Sequence, residues 1–164
     1  MAALPLAAAL PSARALEAPV GPVVLDVVGK VTQVNTPRAD CACFDMAMLA
    51  ALPQTSFHAH TPWFKQGRRF TGPLLREVLA AAGAQGTPGS MLLLRALNDY
   101  RVELPWDDAQ RFDPIVARLL DDKPMAVRDK GPLFVIYPFD DRPELRSAVY
   151  YSRSAWQLRT IEVA

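Results

Sequence analysis

The chain has 164 residues, 51% apolar and 21% charged, with 18 basic side chains against 17 acidic ones. That length and balance describe one globular domain with an ordinary core. They leave no electrostatic basis for a nucleic-acid partner or for binding to an acidic membrane surface. Fifteen prolines, spread along the chain, favour short strands and turns over long helices.

In chain order, Ala2 to Leu10 is small and apolar, and "SARALEAP" follows it with Ala13-Arg14-Ala15 in the A-x-A pattern of signal cleavage. The run is too short to span a bilayer and lacks a basic lead. It predicts an export signal over residues 1–15 and a single mature domain over 16–164, working in a bacterial periplasm. A disordered native tail is the alternative. "VVLDVVGKVTQV" (23–34) alternates as two short strands broken at Gly29-Lys30. Asp45 is placed to cap a helix that starts at Met46 and stops by Pro53. "QTSFHAHT" reads as a strand and "WFKQGRRF" as a polar loop around Gly67. Thr71-Gly72-Pro73 opens a helix, "PLLREVLAAAGA", with Pro73 at its first position and Gly83 as the stop. "SMLLLRAL" and "YRVELP" are strands joined by a turn at Asn98-Asp99. "WDDAQRF" suits a short helix. "PIVARLLDDKPM" has strand character with a turn at Asp121-Asp122-Lys123. "GPLFVIYP" reads as a buried strand and "SAWQLRTIEV" as the closing one. The order predicts an α+β domain built on a mixed β-sheet.

The chain's two cysteines, Cys41 and Cys43, are one residue apart, and so are its two histidines, His58 and His60. On a strand each pair shares one face, because the side-chain period is two. Imidazoles at that spacing can ligate zinc or copper, and a solvated strand face is the plain alternative. The cysteines can add thiolates to a Cu(I)-type site with His58 or His60 if the segments are adjacent. Otherwise they are incidental thiols at a helix entrance, oxidised or not.

"FDMAMLAALP", "FTGPLLREVL", "DDKPMAVRDKGPLFVIYP" and "WQLRTIEV", in that order, resemble the molybdopterin-binding domain of the sulfite oxidase family in its short, stand-alone bacterial form. The likeness covers about residues 22–164. It implies a mixed-sheet fold that holds a pterin cofactor in a cleft lined by loops. In that family a cysteine in the loop after the first helix's following strand binds molybdenum. Here the loop reads Thr61-Pro62-Trp63-Phe64-Lys65, without a thiolate. The family's His and Arg near the "GPL" strand, which hold phosphate and pterin, fall on Asp129 and Phe134, and neither can hold a phosphate. The resemblance therefore implies the scaffold without the metal chemistry.

A pterin is a flat polar heterocycle, held by stacking on an aromatic face and by hydrogen bonds to its edge. The expected rim of the cleft is Trp63; the turn Asn98, Asp99 and Tyr100; the run Arg128, Asp129 and Lys130; and Tyr150, Tyr151, Arg153 and Trp156 in or before the closing strand. Of these, Tyr150, Arg153 and Trp156 are taken as binding residues alongside Trp63 and the two polar segments. Trp156 also suits a core position, the charged run a solvated turn, and the tyrosines an edge strand. The resulting expectation is a periplasmic module that binds a metal-free pterin and relays a pterin signal to the periplasmic domain of a membrane-bound cyclic-dinucleotide enzyme. The alternative is a molybdopterin-dependent oxidoreductase.

Overall fold

The structure is a computed structural model and describes residues 14–37 and 40–164. The expected leader lies outside the described residues, apart from Arg14 and Ala15. No helix among the described residues is long and apolar enough to cross a membrane.

The fold is α+β, with a mixed sheet at its centre. Strand β1 (Val23–Gly29) lies between β2 (Ala42–Asp45) and β11 (Leu158–Val163), and the sheet continues through β5 (Met91–Ala96) to β6 (Arg101–Pro105). β1 and β11 run parallel, while the other neighbours are antiparallel. A second sheet orders β3 (Gln54–Ala59), β4 (Arg68–Pro73), β8 (Leu119–Leu120) and β9 (Lys123–Pro124). A two-stranded ladder joins β7 (Ile115–Ala117) to β10 (Phe134–Ile136), all six residues of which are buried. Apolar positions on the sheets converge on one core that includes Leu25, Phe44, Phe70, Leu94, Phe134 and Ile161.

Local chemistry explains the elements that hold this arrangement. Helix α1 (Met46–Ala51) begins at Asp45, whose Oδ1 accepts from the Met48 N–H at 2.8 Å. Asp45 Oδ2 accepts from the Val20 and Gly21 N–H groups at 2.9 Å each, so one carboxylate caps the helix and ties down the chain before β1. Helix α2 (Leu75–Ala81) is followed by Ala82 and then by Gly83 at φ +65°, a left-handed stop that favours glycine. Helix α3 (Trp106–Arg111) carries Asp108 into the interior.

Three sequence expectations need correction. Residues 68–73 form β4 rather than a loop and a helix start, so Pro73 ends a strand and α2 begins two residues later. Pairing with both β3 and β8 outweighs the local helix-start signal. The segment after Gly29 is not a second strand: Val31 makes one isolated bridge to Ala84. Residues Ala148–Arg153 form helix α4, so Tyr150, Tyr151 and Arg153 lie on a helix rather than a strand. The β-propensity of adjacent tyrosines is overridden there by helical packing against the core.

Candidate functional site

Two cavities flank Trp63, which sits in the loop between β3 and β4. The first, about 550 Å³, is lined by Trp63, Tyr100, Tyr151 and Trp156, with Asn98, Ser152 and small residues between them. The second, about 350 Å³, is lined by Trp63, Phe64, Arg68, Lys123 and the run Arg128, Asp129 and Lys130. Trp63 is therefore the wall between an aromatic chamber and a charged one.

The aromatic wall is built from edge-to-face contacts. The Trp63 ring meets Phe134 at 5.5 Å, Tyr151 at 5.9 Å and Trp156 at 5.6 Å, each at a steep interplanar angle. These are favourable aromatic geometries, each worth about 0.5–1.5 kcal/mol beyond area burial. Trp156 precedes β11, is bridged to Phe134, and carries Lys130 Nζ 4.3 Å above its ring. That cation connects the two chambers. Asn98 and Tyr100 stand on the β5–β6 hairpin, where Asp99 adopts φ +64° and the Tyr100 N–H donates to Asn98 Oδ1 at 3.2 Å.

The structure brings Trp63, Asn98, Tyr100 and Trp156 together around the first cavity, and Trp63, Arg128, Asp129 and Lys130 around the second. Asp99, Tyr150 and Arg153 line neither. Helix α4 explains the change for the last two. Ala148, Tyr151 and Ser152 share one helical face and turn to the cavity, while Tyr150 and Arg153 share the opposite one. Tyr150 packs edge-on against Phe112 and Tyr137. Arg153 Nη1 donates to Asp108 Oδ2 at 2.8 Å, and the Tyr137 hydroxyl donates to the same oxygen at 2.7 Å. Burial, with the Asp108 carboxylate beside it, pushes the Tyr137 hydroxyl far above its ordinary pKa, so it stays a donor. Arg153 is thus a positioning residue for α4. Tyr151, expected at the rim, does line the first cavity, and Ser152, which the sequence reading missed, becomes visible only once the stretch is read with a period of 3.6.

Phe134 is fully buried, so the position matched to a phosphate anchor is core. Cys41 and Cys43 are joined as a buried disulfide just before α1, the oxidised form of the pair at the helix entrance. They cluster with Asp26, whereas His58 and His60 cluster with Asp140, so the two pairs do not share a site.

No protein-family model and no curated protein matches the chain. Among solved structures, the sulfane dehydrogenase SoxCD from Paracoccus pantotrophus matches with a TM-score of 0.59 at 14% identity. The match covers 85% of this chain and 37% of that one, so this chain spans little more than a third of its neighbour. What the two share is the α+β fold.

Proposed function

We propose that the cavity beside Trp63 binds a metal-free pterin, and that the protein is a periplasmic pterin-binding module acting on a membrane-bound cyclic-dinucleotide enzyme. The observation that carries the reading is the 550 Å³ chamber framed by Trp63, Tyr100, Tyr151 and Trp156. Its size and aromatic lining suit a flat heterocycle, and Asn98 offers polar atoms at its rim. The second chamber supplies Arg68, Lys123, Arg128 and Lys130 for an anionic or polar tail. Asp129 lines that same charged chamber.

The alternative, a molybdopterin oxidoreductase, draws its support from the shared fold. The residues present do not fit a molybdenum centre. The cysteine ligand that the resemblance implies is absent from both cavities, and the two cysteines are tied in a buried disulfide away from them. The loop facing the cavities presents an indole instead.

Titration with neopterin-like and monapterin-like pterins, oxidised and reduced, tests the reading through tryptophan fluorescence and calorimetry. A ring stacked in this chamber is expected to bind with about −8 kcal/mol, a micromolar Kd. Absence of quenching and heat up to about millimolar ligand overturns the pterin reading. Metal analysis of protein taken from its natural compartment separates the alternative: molybdenum near one per chain favours the oxidoreductase. N-terminal sequencing of the same sample tests export, with a start near Leu16 expected and an intact Met1 against it.

A further inference from the structure

The exposed face of β3 ends in a cluster that lies outside both cavities. Alternation along the strand buries Phe57 and Ala59 and turns His58 outward, with His60 one residue beyond the strand's end. The His58 and His60 rings stand 5.5 Å apart at an interplanar angle of 71°. Asp140, eighty residues away in sequence, completes the group: its Oδ2 lies 2.7 Å from His60 Nδ1. One donor atom from each of the three side chains falls within 4.8 Å of the others. None of the three lines either cavity.

We propose that His58, His60 and Asp140 form a binding site for one divalent transition-metal ion of the zinc–copper class. Two imidazoles and a carboxylate are donors that suit these ions and leave a fourth position for water. Zinc holds such nitrogen and oxygen ligands at about 2.0–2.2 Å in a tetrahedron, which sets neighbouring ligand atoms about 3.3–3.6 Å apart. The 2.7 Å gap between His60 Nδ1 and Asp140 Oδ2 needs only a small opening to admit the ion in place of the proton between them.

The surroundings hold these donors in place. Asp140 Oδ1 is occupied by the His60 N–H at 2.9 Å and by Arg146 Nη2 at 3.2 Å, so Oδ2 is the oxygen presented to the imidazole. Gly67 closes the group from below: a Cβ there would overlap the His58 ring and lie 2.9 Å from His60 Nε2. Glycine at this position leaves room for both imidazoles to converge.

The test uses the untagged full chain, stripped with a chelator, and Zn²⁺ alone or Cu²⁺ alone as the probe. Calorimetry is expected to give one Zn²⁺ per chain. His58→Ala, His60→Ala and Asp140→Asn should each weaken it at least tenfold, while circular dichroism keeps the fold intact. Gly67→Ala should weaken it without removing a donor. The electron paramagnetic resonance spectrum of the Cu²⁺ form should carry nitrogen hyperfine structure that His58→Ala simplifies. No saturable binding, or binding unchanged in the His58→Ala/His60→Ala double variant, overturns the site. Loss of binding in Cys41→Ser/Cys43→Ser with the histidines intact also overturns it, because the ion then sits with Asp26.

Discussion

Asp108 is the residue through which the core positions the cavity wall. Its carboxylate is buried on α3 and accepts from the Tyr137 hydroxyl at 2.7 Å and from Arg153 at 2.8 Å. Arg153 ends α4, which carries Tyr151 and Ser152 to the cavity. Asp108→Ala strands both donors. Breaking a buried ion pair costs about 3–5 kcal/mol when the remaining charge has no partner. The Arg153 side chain keeps 24% of its exposure and can recover some hydration, so the lower end applies. The Tyr137 hydroxyl is fully buried and adds about 1–3 kcal/mol for an unmade hydrogen bond. The expected loss is about 4–6 kcal/mol, a fall in Tm of roughly 8–24 °C for a domain of this size. Asp108→Asn keeps an acceptor and should lose about 1–2 kcal/mol, and Tyr137→Phe about 1 kcal/mol. Urea unfolding followed by tryptophan fluorescence measures all three, with Arg153→Met closing a double-mutant cycle. A loss below about 1 kcal/mol for Asp108→Ala would refute the claim that this oxygen holds α4 to the core.

Three further outcomes follow from particular contacts. The sequence alone favours Trp156→Ala as the more damaging change for pterin binding, since a loop residue like Trp63 can move aside. With Trp63 edge-on to three rings and lining both chambers, Trp63→Ala should cost at least as much. Each should lose about 1–3 kcal/mol, or 5- to 150-fold in Kd by titration, and an effect confined to Trp156 would speak against the chamber. The N–H groups of Gly21 and Met48 hold the Asp45 carboxyl below its ordinary value of 3.8. Its contribution is therefore present at neutral pH and lost as the pH falls below about 4 through the folded value; Asp45→Ala should cost about 1–2 kcal/mol in urea at pH 7 and less at pH 3. Cys41→Ser/Cys43→Ser should leave pterin binding within a few-fold, because neither cysteine lines a cavity. A hundredfold loss, about 2.7 kcal/mol, would show that they act on the site.

Much of the fold was legible because its signals are local. Asp45 before an apolar helix, the Asn98-Asp99 turn between alternating strands and the proline-bounded run at β10 each declare themselves within a few residues. The errors arose where tertiary pairing decides. Thr71-Gly72-Pro73 has the composition of a helix start, yet Phe70 and Thr71 pair across to Leu120 and Leu119. Tyr150 and Tyr151 look like strand residues, and a strand reading gives no reason to prefer Tyr151. The helix rotates neighbours by about 100°, which sends one ring to the core and the next to the cavity. Asp140 had no sequence signal as a partner of His60, because a contact across eighty residues is set by how β3 and the segment after β10 fold together.

The β3–β4 loop gains its order from both ends. At its start, His60 is bound twice to Asp140, through its N–H at 2.9 Å and its ring at 2.7 Å. At its end, Arg68 donates to Asp121 at 2.5 Å and lies 4.6 Å above the Phe64 ring. Between these anchors Trp63 is fixed by Phe134, Tyr151 and Trp156, three rings from three different parts of the chain. A loop pinned in this way is a preformed wall, so the proposed pterin would meet little ordering cost on binding. The same pinning explains why an indole suits this loop. A thiolate offers one small donor to a metal, whereas an indole fills the space between two chambers and leaves each with a rigid aromatic side. If the proposed pterin binds here, its recognition falls to shape and stacking, with the charged chamber behind Trp63 beside its polar end.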